Sequence, residues 1–183
     1  MQNITLSITN SSPYQTLYKG LLSGETPALA VGLPPIAKAQ LAAALRLETS
    51  RPVCIITDED TTALRLAYDL QTFSELPVVH IPSRELSMAG MEGMSRQYEQ
   101  ARIEALSRLQ TAPLVTLSAA ALVQKTLPPH TLSAASFTIH TGDLTPLTDL
   151  TQKLIHAGYQ RCTQVEGSGQ FSVRGGILDV FAP

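Results

Sequence analysis

Short apolar runs alternate with longer amphipathic ones along most of this chain, and that alternation limits the open folds more than any other feature. The runs at 27–31 (PALAV), 53–57 (VCIIT), 77–81 (PVVHI), 113–117 (PLVTL) and 135–140 (ASFTIH) have the length of strands. Several are apolar at successive positions, as strands covered on both faces are. Helical patterns fill the gaps. Residues 37–48 are rich in Ala and Leu, which favour helix intrinsically. Residues 61–73 place Leu66, Leu70 and Phe73 on one stripe, with Asp58 or Asp60 as a cap. Residues 94–110 align Tyr98, Ala101, Ala105 and Leu109, with Glu104 and Arg108 four apart on the outer face. Residues 119–127 follow Ser118 as N-cap and stop at Pro128-Pro129. This rhythm predicts an α/β domain over residues 1–140, a parallel sheet with flanking helices.

The pattern changes near residue 141. Thr145 and Pro146 suit an N-cap and a first helical residue, Leu147, Leu150 and Leu154 a buried stripe, and Gly158 a C-terminal stop. Extended pieces at 160–165, 170–174 and 176–181 follow. EGSGQ forms the turn between the first two, and Gly175-Gly176 the break between the others. They read as antiparallel strands, so residues 141–183 are the beginning of a small α+β domain. One helix and three strands are too little for an independent core, since below about 40 residues a domain usually needs extra staples. The chain therefore reads as a piece cut inside its second domain.

The 183 residues carry a formal net charge of -2, with the basic residues scattered. No run of Lys or Arg follows a phosphate backbone, so direct nucleic-acid binding is not expected. No apolar run approaches the ~20 residues of a membrane span, and the first residues lack a signal-peptide pattern, so a cytoplasmic location is expected. Cys54 and Cys162 lie far apart in strand-like runs without metal-ligand spacing, and read as buried reduced thiols. No metal site and no catalytic residue is expected. Glu85, Glu92 and Glu99 read as solvated carboxylates. His80, His130, His140 and His156 adjoin no nucleophile motif. Asp58-Glu59-Asp60 is spelled like a helicase DExD box. It stands only about twenty residues after the loop described next, and reads as an acidic helix start favoured by the helix dipole.

That loop is VGLPPIAKA, residues 31–39, between a strand candidate and a helix candidate. A phosphate loop G-x-x-x-x-G-K-[ST] surrounds phosphates with backbone N–H groups, reaches them with Lys and ligates magnesium through its hydroxyl. Here Gly32 and Lys38 hold the first-glycine and lysine positions. Ala37 replaces the second glycine and Ala39 the hydroxyl residue, and Pro34 and Pro35 each remove an N–H donor. The loop is therefore expected not to bind nucleotide, which makes the first domain a degenerate P-loop or helicase-lobe-like fold.

In FSVRGGILDVF, residues 171–181, Phe171 and Val173 alternate with Ser172 and Arg174. This puts Arg174 at a strand end facing solvent, beside small residues that leave its guanidinium open to a partner's carboxylate.

The segment GYQRCTQVEGSGQFSVRGGILDVF resembles the signature of the UvrB-like N-terminal module of the bacterial transcription-repair coupling factor family (Mfd). RPVCIITDED, IPSRELS, RIEALSRL and PLVTLSAAALVQKTLPP support the resemblance in order. Gln170 departs from the family, which usually has Glu there, and so removes a negative charge near Arg174. The resemblance implies a non-enzymatic module that docks UvrA through the R-G motif, with Arg174, Gly175 and Phe171 as the expected partner-binding residues. It also implies that ATP and Mg belong to a downstream motor, and that RNA polymerase and DNA are met through other domains. The alternative is a UvrB-like ATP-dependent helicase lobe with a working nucleotide site at Gly32 and Lys38. A third reading, direct DNA binding, is disfavoured by the charge balance.

Overall fold

The computed structural model describes residue 5 and residues 7–84, 97–109 and 111–182. Contacts divide the chain into two compact units. The first comprises Met1–Met88 and Arg108–Gln124, the second Ala89–Ser107 and Lys125–Pro183.

The first unit opens with a 3-10 turn, Ser7–Asn10, and helix α1, Ser12–Ser23. The sequence reading did not foresee α1, although its signals are present. Ser11 is the N-cap, Pro13 lies in the first turn, and Gly24 closes the helix with φ 84°. Helix α2 (Pro35–Thr49), strand β1 (Val53–Thr57), helix α3 (Asp60–Phe73) and strand β2 (Val78–Ile81) follow. Strand β3 (Leu114–Ser118) and the short helix α5 (Ala119–Val123) complete the unit. Helix α4 (Gln97–Arg108) precedes β3 and lies in the second unit as far as Ser107. The expected helix positions 94–96 and 110, with Glu85 and Glu92, lie outside the described residues.

The strands form a parallel sheet of order β1-β3-β2. Register runs from Val53 to Leu114 and from Val78 to Leu114. All five residues of β3 are buried, as the central position requires. Ala39, Ala42 and Ala43 of α2 form one core cluster with Leu66, Ala67 and Leu70 of α3, Val78 and Leu114. Their small side chains let the two helices approach closely. Burial removes roughly 25 cal/mol of unfavourable hydration per Å² of apolar surface. Tyr14 ties α1 to α2. Its buried hydroxyl donates to Glu48 Oε2 at 2.6 Å. Burial, and then the Glu48 acceptor and its charge, push the Tyr14 pKa well above the ordinary phenol value.

Several expectations are corrected. Residues 27–31 form no strand, and Leu29 and Val31 are 87% and 78% exposed. Pro27 has no N–H to donate to a ladder, and among the described residues no strand pairs with the segment. Residues 136–140 are likewise not a strand. Pro128-Pro129 ends nothing, because α5 has already stopped at Val123. Pro129 instead opens helix α6, Pro129–Ala135, at the first-turn position that tolerates a missing N–H. Cover on both faces holds for β2 and β3 but not for β1, an edge strand whose Cys54 and Ile56 are exposed. In α4, Ala105 is buried while Ala101 is exposed, as is Leu109 just past the helix.

In the second unit, helix α7 spans Leu147–His156, with Pro146 as cap, one residue later than expected. Leu150 and Leu154 are buried and Leu147 is half-buried. Gly158 takes the left-handed stop at φ 88°. Its N–H reaches Ile155 O, and the Tyr159 N–H reaches back to Leu154 O at 2.9 Å, a Schellman closure. Strands β4 (Gln160–Arg161), β5 (Gln170–Arg174) and β6 (Ile177–Phe181) form a sheet in that order. The β5–β6 pair is antiparallel, as expected, whereas β4 pairs with β5 in parallel. The eight residues between β4 and β5 allow the chain to swing round and return in the same direction.

Candidate functional site

Two places carry the residues singled out above, one in each unit. In the first, the loop before α2 has Gly32 at φ 75°, followed by Pro34 as N-cap and Pro35 as the first helical residue. The N–H groups of Ala37 and Lys38 donate to Pro34 O at 3.0 and 3.2 Å, the ordinary opening bonds of a helix. The Lys38 side chain is exposed. Ala39, at the position that would ligate magnesium, is 0% exposed and packs in the core of α2 and α3.

Ligands of open α/β sheets bind at the carboxyl ends of the strands. Here those ends hold a polar cluster built from the protein's own groups. Asp60, the first residue of α3, does not cap its own helix. Its two carboxylate oxygens accept from the Ser83 N–H at 3.0 and 3.1 Å, and Oδ1 accepts from the Ser118 hydroxyl at 2.9 Å. Ser118 in turn accepts from the Ala121 N–H at 3.1 Å, the expected cap of α5. His80 Nε2 lies 3.7 Å from Asp60 Oδ2, and its Nδ1 lies 3.3 Å from Thr116 Oγ1. Ser118 is 1% exposed, and its hydroxyl both donates to Asp60 and accepts from Ala121, a capping role. The cluster fastens α3 to β2 and β3. Its long-range partners are spread over residues 60–121, and no local motif announces them. Asp58 likewise does not cap α3; its Oδ1 accepts from the Glu59 N–H at 3.0 Å.

The second place is the β5–β6 hairpin. Phe171 corrects the expectation that it binds a partner: it is 0% exposed and packs in the core of the small sheet, so its side chain does not reach the surface. Ser172, expected on the polar face, is also buried, and its hydroxyl donates to Thr163 O at 3.0 Å. Arg174 ends β5. It stands opposite Ile177, with Gly175-Gly176 as a two-residue turn. Gly175 has φ 59°, and left-handed φ at the first central residue matches the hairpin turns that follow strand twist. The Arg174 side chain is 68% exposed, and its Nη2 lies 2.6 Å from Asp179 Oδ2. Along β6, Ile177 opposite Arg174 is 65% exposed, and Val180 and Phe181 toward the other end of the strand are 42% and 51% exposed.

Gln170 has a separate task. Its Oε1 accepts from the N–H groups of Glu166 and Gly167 at 2.9 and 3.1 Å, which shapes the turn before β5. The charge partner of Arg174 is therefore Asp179, which the sequence reading quoted within the motif but gave no role. The signal was available: alternation puts residues 172 and 179 opposite each other in a two-residue hairpin, and 174 diagonal to 179. Cys162 is half-buried, with Sγ 3.4 Å from Phe171 O, and both cysteines are free. Among the described residues, no group of three or more His, Cys, Asp or Glu side chains could hold a metal ion, and no helix is long and apolar enough to cross a membrane.

Comparison with known proteins agrees with the hairpin's motif. Residues 137–183 match the family model of the UvrB interaction domain. The chain is 30% identical over 185 residues to a transcription-repair-coupling factor of Bacillus subtilis, covering 99% of this chain and 16% of that protein. It is 26% identical over 184 residues to that of Staphylococcus aureus, again covering 99% of this chain and 16% of the relative. Against that of Myxococcus xanthus it is 32% identical over 163 residues, covering 83% of this chain and 14% of the relative. The similarity to transcription-repair-coupling factors thus runs along nearly the whole chain, which spans about a sixth of the relatives' length.

Proposed function

We propose that this chain, similar throughout to transcription-repair-coupling factors, is a non-catalytic docking module whose second unit binds UvrA. Through that contact the protein links removal of stalled RNA polymerase to excision repair. RNA polymerase and DNA are engaged by other parts of the longer protein, and ATP with Mg serves a motor outside this chain. The carrying observation is the geometry of the hairpin. Arg174 stands exposed at a strand end, beside two glycines, inside the segment that matches the UvrB interaction domain. A guanidinium so presented grips a carboxylate in two-point fashion. Gly175 shapes the turn that presents it, and Phe171 holds the strand from beneath.

The first unit contributes a scaffold. Prolines in the loop, an alanine buried where a metal ligand would stand, and a strand-end cluster satisfied by Asp60 all support a fold kept without nucleotide. Binding of purified UvrA by the longer protein, of which this chain spans about a sixth, is the direct test. Arg174→Ala should weaken it by about 1–3 kcal/mol, the scale for losing a charge-assisted contact. Unchanged affinity would remove Arg174 from the contact. Titration with labelled ATP and Mg should show no saturable, Lys38-dependent binding, and tight binding would return the chain to the helicase-lobe reading.

A further inference from the structure

Resting on the docking reading above, we propose that Asp179 is a positioning residue. It holds the Arg174 guanidinium in the pose from which its open edge meets an acidic group of the partner.

Asp179 lies on β6 opposite Ser172, so its carboxylate reaches Arg174 diagonally across the hairpin. The contact uses Nη2 alone, at 2.6 Å. A guanidinium has five N–H donors in a rigid fork, and among the described residues Asp179 is the recorded partner of this one. An edge of the fork is therefore left for a second carboxylate. The Asp179 side chain is 39% exposed, against 68% for Arg174, so the arginine is the more accessible member of the pair.

Stability does not account for the pair, because exposed ion pairs contribute little to folding. Geometry does. Gly175 and Gly176 offer no side chain against which Arg174 can rest. An untethered Arg loses a large rotamer entropy when a partner fixes it. Asp179 removes part of that freedom before the partner arrives, which lowers the cost of association. It also cancels part of the local positive charge. The site then favours one well-placed carboxylate over a diffuse polyanion such as a nucleic-acid backbone.

The test is a double-mutant cycle in the longer protein, of which this chain spans a part, with UvrA as the probe. Asp179→Ala should weaken binding about threefold to tenfold, within the range that one immobilised side chain can contribute. In an Arg174→Ala background the same change should have no effect, and Asp179→Glu should recover most of the affinity. An equal loss in both backgrounds overturns the proposal, as does tighter binding of Asp179→Ala, which would mark the aspartate as a mask. Failure of the docking reading looks different: UvrA does not bind the unmodified longer protein, or ignores Arg174→Ala in it. Nitrogen-15 relaxation of the Arg174 Nε–H then decides the positioning without any partner. Faster side-chain motion in Asp179→Ala is expected, and unchanged motion overturns the proposal.

Discussion

Asp60 and Asp179 are both carboxylates that hold another element's polar groups, yet they do opposite work. Asp60 accepts from the Ser83 N–H and the Ser118 hydroxyl and faces His80, at the strand ends of the first unit. Asp179 accepts from one exposed guanidinium on the hairpin of the second. The donors on Asp60 are backbone or short side chains anchored in buried elements, since Ser83 is 8% and Ser118 1% exposed. Removing that carboxylate strands donors that water reaches poorly. Removing Asp179 strands only a group that water already solvates. Burial of the donors, rather than the count of bonds, separates a structural carboxylate from one that tunes recognition. On this view the polar groups at the strand ends are engaged by the protein's own side chains, while Arg174 on the hairpin stays exposed among the described residues.

Four substitutions probe this contrast, from the largest expected effect to the smallest. Phe171→Ala should cost about 3–5 kcal/mol, the scale for truncating a buried Phe. It should melt the small sheet and abolish UvrA binding through folding, seen as loss of a cooperative transition in denaturant. A Phe171→Ala protein that stays folded would break the view that the recognition surface rests on this one core residue. Asp60→Ala should cost about 1–3 kcal/mol by leaving the Ser83 N–H and the Ser118 hydroxyl without their acceptor. UvrA affinity should be unaffected, and a parallel loss of affinity would show that the two units are not functionally separate.

Tyr14→Phe should cost about 1 kcal/mol for the hydrogen bond to Glu48. It also carries a pH signature. The Tyr14 pKa is raised above the ordinary value of 10.0, so the folded state prefers the neutral phenol. The unfolded chain ionises first. The stabilisation is therefore complete below about pH 10 and declines as pH rises further. Alkaline unfolding should begin in that range for the unmodified chain, and Tyr14→Phe should flatten that pH dependence. The smallest effect belongs to Asp179→Ala, which should change folding stability by no more than the ~0.2–1 kcal/mol of an exposed pair. A larger loss in thermal unfolding would mean that Asp179 resembles Asp60 after all.

Much of the fold was legible because the deciding information was local. The Ala- and Leu-rich run over α2, the stripe of α3, the Ser118 cap and the Gly158 stop each need only a few neighbours. They appear where periodicity and capping place them. The errors share a cause. Residues 27–31 and 135–140 have strand composition, but a strand exists only when a second strand pairs with it, and pairing is not written in the run itself. The parallel β4–β5 pairing and the exposure of Cys54 are further cases, since both depend on what lies alongside. Within the hairpin, the exposed Arg174 and the Gly175 turn were readable from alternation. The burial of Ser172 was not, because it depends on the Thr163 carbonyl nine residues earlier in the chain.

The order of residues by itself determined the helical runs of α2 and α3, the Ser118 cap, the Gly158 stop, the proline-broken loop at residues 31–39, and the motif that places an arginine at a strand end. These follow from backbone torsions and side-chain spacing over a few residues. Tertiary structure alone decided that Asp60 serves the strand ends rather than its own helix, and that Arg174 is held by Asp179. Each of those contacts joins groups from different elements, and their energy depends on distance and on shielding from water, which only the folded chain sets.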